Sequence, residues 1–405
     1  MTSTVRSTPS PSTPPRFVVR VKRLFHKEKP EFVVMVATVL FLVVFGLVMV
    51  LSSSFVGSAL GNDGNFFATF IRQTVWAVVG LPLMLLISQL PPMTFRRTAP
   101  AFFLAALALQ ALVFTSLGIS SGGNTNWVSL AGLSGQPSEI LKVAMVVWMA
   151  AILADRIDEM HDYRVLLSPL AIGVGFALGL VVAGRDLGTM GVMVLIALGI
   201  IFLAGARLIH LFVVASGVAV IVGLIAITSP SRVNRMMTWF SGCQEDDYLT
   251  TCWQTVHSTF ALGSGGVWGV GLGNSRAKWS WLPEAETDFI FAIVGEELGL
   301  IGTTMVIVAF VVLAVAMARL ARANPDPFAR LITGGVMVWL IGQALVNIAV
   351  VLELLPVLGV PLPFVSLGGS ALVSSLVGVG IVMAVNRENA VSVSKYRARR
   401  RANRP

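Results

Sequence analysis

The chain has 405 residues, of which 56% are hydrophobic and 12% charged, with a net charge of +9 and a mean hydropathy of +0.83. Soluble domains carry about 25% charged residues, which excludes a water-soluble globular enzyme. Continuous apolar runs of about 20 residues select membrane-spanning helices over an alternating barrel pattern. The positive charge resides mostly in the two ends, where it suits anionic lipid headgroups rather than nucleic acid.

Residues 1–30 are Ser/Thr/Pro-rich and basic and read as a disordered tail. An apolar span of about 23 residues then begins near Phe32. It is too long for a signal-peptide core and lacks a small-residue cleavage site, so a retained anchor is predicted. Ten spans follow from the apolar runs: 32–54, 70–90, 99–118, 138–155, 165–184, 188–206, 208–229, 297–320, 328–352 and 366–386. They form a membrane domain over 31–388, closed by a basic tail at 389–405.

Basic residues fall in alternate connections: Arg16 to Lys29, Arg96/Arg97, Arg156/Arg164, Arg207, Arg319/Arg322/Arg330 and Arg387 to Arg404. The connections at 55–69, 119–137 and 353–365 hold no Lys or Arg. The positive-inside rule therefore predicts two cytoplasmic termini and an even number of spans.

The connection over 230–296 is much longer than the others and is predicted to lie outside, partly re-entrant where its backbone lines a cavity. Both cysteines, Cys243 and Cys252, lie in it and bracket an acidic stretch. In an oxidising compartment they are expected to close a disulfide. Only His257 lies near them, so no metal-ligand spacing is present.

The same connection holds Leu282-Pro-Glu-Ala-Glu-Thr-Asp-Phe-Ile-Phe291 and Glu296-Glu297. This places five of the chain's 20 acidic residues within fourteen positions. Carboxylates beside a membrane cost several kcal/mol unless they face water, a partner or a substrate. Pro283 suits a first helical position, and on such a helix Glu284 and Asp288 share a face. Asp288 precedes Phe289-Ile290-Phe291, so it is expected at the water–membrane border. Partial desolvation there would lift its pKa toward that of a general base. Capping by Thr287 or Asp288 is the purely structural alternative, and is the better reading for Glu284 and Glu286.

Upstream, six glycines fall within eleven residues, 263–273, a run that permits close backbone approach to a ligand. Its spacing matches no nucleotide-binding loop. Arg276 and Lys278 end the run and are candidates to hold an anionic headgroup, or to snorkel to lipid phosphates. Arg72, the pair Glu139 and Lys142, and Arg185-Asp186 stand at outer span ends and are candidates for substrate binding or an internal cavity, Arg185 with Asp186 being equally readable as an interfacial pair. Glu139 and Lys142, three residues apart, can equally pair with each other. In the Pro- and Gly-broken stretch 354–370, Ser366 and Ser370 either offer hydroxyls to a substrate or lock a rigid turn. No G-x-S-x-G motif is present.

Several motifs occur in one order along the chain: Gln136-Pro-Ser-Glu-x-x-Lys142, Gly263-Ser-Gly-Gly, Gly269-Val-Gly-Leu-Gly, Leu282-Pro-Glu-Ala-x-Thr-Asp-Phe-Ile-Phe-Ala, Gly295-Glu-Glu-Leu-Gly-Leu-Ile-Gly302 and Pro361-Leu-Pro-Phe-x-Ser-x-Gly-Gly-Ser370. Together they closely resemble the SEDS family (shape, elongation, division and sporulation), and its division branch more than its elongation branch. The resemblance implies an all-α, ten-helix peptidoglycan glycosyltransferase of the bacterial cytoplasmic membrane. Such an enzyme polymerises lipid II at the outer face of the division septum, beside a class B penicillin-binding transpeptidase and other division proteins. It implies Asp288 as the essential aspartate, Trp127 as the important loop tryptophan and Lys142 as the fourth-span lysine. The family usually has Arg before that tryptophan. Here it is Asn126, so a headgroup contact must be missing or supplied by Arg72 or Arg276. No cofactor is implied. A divalent cation is compatible with a pyrophosphate leaving group, but no dedicated ligand set is visible. A lipid II flippase and a division scaffold are the competing classes. The first needs charges at mid-depth; the second needs only tails and outer surfaces.

Overall fold

The computed structural model describes residues 29–387 except 62–63, 122–123, 131–132, 161, 163–168, 227–229, 243–251 and 280. Most of both tails and Cys243 therefore lie outside the described residues. Twelve α-helices are present among them: α1 Pro30–Gly61, α2 Ala68–Ile87, α3 Pro92–Ala111, α4 Pro137–Asp155, α5 Pro169–Ala183, α6 Leu187–Leu203, α7 Leu208–Ala226, α8 Pro230–Ser241, α9 Trp253–Gly265, α10 Ile290–Arg322, α11 Pro327–Val351 and α12 Gly369–Arg387. Seven are long and apolar enough to cross a membrane: α1 to α4 and α10 to α12. The shorter apolar helices α5, α6 and α7 occupy the places of predicted spans five to seven.

Helix starts follow from local chemistry. Pro92, Pro137 and Pro327 open α3, α4 and α11, where a missing N–H costs nothing. Asp186 and Asp326 cap α6 and α11 through the amides of Thr189 and Phe328. The helices pack as a bundle, with α2 along α12, α1 along α10, α3 along α4, and α11 between α10, α6 and α4. Helix α4 is buried almost all round, so it forms the axis of the bundle.

The connection 119–137 forms a three-stranded antiparallel sheet, β1 Gly118–Ser121, β2 Asn124–Leu130 and β3 Leu133–Gly135. Ile119 pairs with Trp127, and Val128 with Gly135. The segment 282–289 is not the start of a helix. It is a series of turns in which Glu284 has φ +56°, and α10 begins only at Ile290. Glu284 O instead accepts the amides of Thr287, Asp288 and Phe289, which curls the chain back before the helix.

Helix α10 is broken at Gly299, whose φ of 65° and ψ of −160° lie outside the helical range. The broken hydrogen bonds are re-made by the Gly-rich run. Val270 N and Gly271 N donate to the carbonyls of Glu296 and Glu297, while Leu300 N and Ile301 N donate to those of Gly266 and Val267. An irregular backbone is tolerated at membrane depth only with such internal satisfaction. A Cβ at Gly299 would stand 2.5 Å from Gly269 N and Val267 O, so only glycine fits.

Candidate active site

The connections that the charge pattern assigns to the outside all meet at one end of the bundle. There the 281–289 turns, the α5–α6 turn, the sheet and the broken segment between α11 and α12 converge. Gly188 shows how tightly: a Cβ there would lie 2.0 Å from Leu358 O. Among the described residues, the non-glycine positions with positive φ are Arg185, Glu284, Glu353 and Phe364. All four belong to these converging segments. Such strain, about 1–3 kcal/mol each, clusters at functional sites.

Asp288 sits at the centre and is half-buried. A Cβ at Gly359 would stand 3.5 Å from its Oδ2, so its carboxylate rests against the broken segment. Burial, then Glu284, then Asp186 push its pKa up to about 7. A carboxylate that exchanges its proton near neutrality is suited to general-base work. Glu286, two residues earlier, is also raised, by burial and by Glu284, with Arg72 opposing. Its backbone carbonyl accepts Leu367 N at 2.8 Å.

Asp186 is buried and accepts four hydrogen bonds: from Thr189 N at 3.0 Å, Thr189 Oγ1 at 2.8 Å, Asn126 Nδ2 at 3.0 Å and Gln136 Nε2 at 2.8 Å. Asn126, where the family usually has arginine, thus ties the sheet to the start of α6. Trp127 beside it is half-buried on β2.

The predicted cations divide into two groups. Arg72 and Arg276 are exposed at the site end. Lys142 and Lys278 are buried and engaged internally. Lys142 Nζ pairs with Glu139 Oε1 at 2.9 Å, donates to Gln343 Oε1 at 2.9 Å and lies 5.2 Å over the Trp339 ring. Lys278 Nζ pairs with Glu297 Oε1 at 3.5 Å and donates to Gly273 O. Lys142 and Glu139, each 2% exposed, are turned into the protein, whereas Lys278, while paired with Glu297, also lines the groove beside Gly273.

The hydroxyl candidates are structural in their hydrogen bonding. Ser366 Oγ accepts Leu362 N at 2.8 Å and closes a turn, and Ser370 Oγ accepts Gln136 N at 3.3 Å. Cys252 is buried and disulfide-bonded; its expected partner, Cys243, lies outside the described residues. No group of three or more His, Cys, Asp or Glu suited to a metal occurs among the described residues.

Sequence reasoning missed three features. Asp186 was a candidate together with Arg185, but its role as the acceptor that gathers Thr189, Asn126 and Gln136 was not foreseen. Glu296 and Glu297 prove to strap the Gly-rich run: Glu296 accepts Arg276 N at 2.8 Å, Ala277 N at 3.3 Å and Ser275 Oγ, while Glu297 accepts Ser52 Oγ at 2.6 Å. Gln343 and Asn347 on α11 were not singled out, although two amides four residues apart in an apolar span are a detectable signal.

Fold and site together define a polytopic α-helical membrane protein with a carboxylate centre at one end of its bundle. The model of the FtsW, RodA and SpoVE cell cycle proteins matches residues 32–391. The probable peptidoglycan glycosyltransferase FtsW of Mycobacterium tuberculosis is 36% identical over 371 residues, 91% of this chain and 70% of that one. Stage V sporulation protein E of Bacillus subtilis is 35% identical over 364 residues, 89% of this chain and 98% of that one. Among solved structures, a chain of a peptidoglycan synthase complex that coordinates polymerization and crosslinking matches with a TM-score of 0.71 and 26% identity, over 87% of this chain and 97% of that one. The rod shape determining protein RodA of Thermus thermophilus matches with a TM-score of 0.63 and 26% identity, over 87% and 96% of the two chains. The chain belongs to the FtsW/RodA/SpoVE family, the SEDS family of the sequence motifs.

Proposed function

We propose that the chain is a peptidoglycan glycosyltransferase of the division type, polymerising lipid II at the outer face of the cytoplasmic membrane. The observation that carries this reading is Asp288: a desolvated carboxylate with a pKa near neutrality, held among converging outer segments with exposed arginines at the same end. The relatives named peptidoglycan glycosyltransferase supply the reaction class.

In the proposed reaction the 4-hydroxyl of one lipid II attacks the anomeric carbon of the growing chain. The new bond is the glycosidic C–O bond; the bond to undecaprenyl pyrophosphate breaks and its electron pair leaves with the pyrophosphate. Asp288 takes the hydroxyl proton, a contribution of typically about 10²–10⁴-fold. Arg72 and Arg276 offset the charge that develops on the leaving group. A groove of about 460 Å³ beside the Gly-rich run has Val48, Leu51, Phe55, Phe67 and Leu272 on its apolar wall, as a polyprenyl tail requires, and Ser52, Gly273 and Lys278 on its polar edge. A lipid carrier would need a charged path through the bundle, whereas the buried pair Glu139–Lys142 is closed on itself. A class B penicillin-binding transpeptidase is the proposed partner, crosslinking the strands at the septum.

The test is a gel of glycan strands made from purified lipid II. Asp288→Asn should fold, with an unchanged melting temperature, and lose at least about 10²–10⁴-fold in polymerisation. Polymerisation at the wild-type rate by that variant would remove the assignment of the base.

A further inference from the structure

Trp339, Gln343 and Asn347 recur every four residues along α11 and therefore stand on one face. All three are buried in a helix that is otherwise apolar at this end. Polar amides are kept at such depth where they satisfy groups that nothing else can reach.

The groups they satisfy belong to the active-site backbone. Asn347 Nδ2 donates to Asp288 O and to Val360 O, both at 2.7 Å. Gln343 Nε2 donates to Pro361 O at 2.9 Å. Three consecutive residues of the broken segment are thereby fixed: Gly359 against the Asp288 carboxylate, Val360 by Asn347 and Pro361 by Gln343. With Pro361 and Pro363 lacking an N–H, this stretch cannot build a ladder of its own.

The amide orientations are forced. Gln343 Oε1 accepts both Lys142 Nζ and Trp339 Nε1 at 2.9 Å, so its Nε2 must face Pro361. Turning the Asn347 amide over would set its oxygen against two carbonyls. Its Oδ1 has no hydrogen-bond partner among the described residues, so the side chain is held through its nitrogen alone.

We propose that Asn347 and Gln343 are positioning residues that set the distance between Asp288 and the segment it rests on, and that Lys142, paired with Glu139, acts through Gln343 rather than on substrate. This rests on the reading of Asp288 as the base. Misplacing a reacting group by about 1 Å can cost on the order of 10²-fold in rate, so a relaxed turn should lower kcat while the headgroup contacts that set KM stay in place.

The test uses the full chain in liposomes with purified lipid II. Asn347→Asp, an isosteric change that removes both donors, should lower kcat by roughly 10²-fold with KM nearly unchanged. The pH–rate profile is read on Asn347→Leu, which removes both donors without adding a carboxylate beside Asp288: its acid limb should move to lower pH as Asp288 gains solvent, with the facing groups Glu284, Asp186, Glu286 and Arg72 intact. Lys142→Met should show the same split of kcat from KM; a rise in KM alone would overturn its indirect role. Asn347→Ser keeps one donor and should fall between the two; if Asn347→Asp does not fold, Asn347→Ser and Gln343→Met read the same two parameters. Thr333→Val removes a buried hydroxyl elsewhere on α11, one bonded to Asn386 at 2.9 Å, and should keep kcat. Wild-type kcat in folded Asn347→Asp and a wild-type pH profile in folded Asn347→Leu, alongside an inactive Asp288→Asn, would sink the positioning role alone. An active Asp288→Asn would instead remove the base.

Discussion

Asp288 is raised by burial and by two other carboxylates, and that ordering of causes makes its titration testable. A base works only when deprotonated, and its folded-state pKa is about 7. Polymerisation should therefore fall about tenfold per pH unit below 7 and level off above it. Glu284→Gln removes the larger of the two like-charge contributions, so the midpoint should move down, toward an ordinary carboxylate. A pH–rate series on purified wild type and Glu284→Gln checks both points, and a midpoint that stays put or rises in the variant contradicts this electrostatic account. Asp288 was legible in the sequence because a carboxylate placed before Phe289-Ile290-Phe291 has to sit at a polar–apolar border. The pairing of Lys142 with Glu139 was legible as one of two alternatives from their spacing, and the structure takes it; which alternative won, and the fate of Lys278, were not legible. Whether a lysine near a span end meets a headgroup or an internal glutamate depends on residues far away in the chain, Gln343 for one and Ser52 with Glu297 for the other.

Helix α10 owes its shape to one glycine. At Gly299 the backbone lies in a region essentially reserved for glycine, and the neighbouring backbone of the Gly-rich run fills the space a side chain would need. Gly299→Ala should destabilise the fold by at least about 1–3 kcal/mol from backbone strain alone. It should also push residues 266–271 off the helix and so disturb the turns that carry Asp288. A thermal melt reads the first effect and glycan polymerisation the second; an unchanged melting temperature would show that the kink is not needed. Apolar length made the long helices visible in the sequence, since α2, α4, α11 and α12 begin and end within about three residues of their predicted spans. The sheet and the 282–289 turns were not visible for different reasons. Trp127-Val128 with Gly122-Gly123 upstream carries a hairpin signal, but it is too short to stand out beside spans of about 20 residues. Pro283 followed by acids reads as a helix start by local rules, and the positive φ of Glu284 arises only because tertiary packing bends the chain there.

For the molecule as a whole, the chemistry requires one orientation, because Asp288 and the arginines must meet substrate on the same side of the membrane. The residues now seen together at one end of the bundle come from connections that the charge pattern assigns to the outside, while Arg97 and Arg322 are exposed at the opposite end. Among the described residues seven helices are long enough to cross, and α5 to α7 must supply three further crossings if the alternation of basic connections is to hold. In a background with Cys243 and Cys252 replaced by serine, Asn274→Cys should react with a membrane-impermeant maleimide added to intact cells. Arg97→Cys and Arg322→Cys should react only after the membrane is opened. This follows from parity: Asn274 precedes α10 and Arg322 ends it, so one crossing separates them, and an odd number separates Arg97 from Asn274. Labelling of Asn274→Cys only after the membrane is opened would place Asp288 out of reach of an outer substrate, and no placement of its proton or its neighbouring arginines could then sustain the reaction.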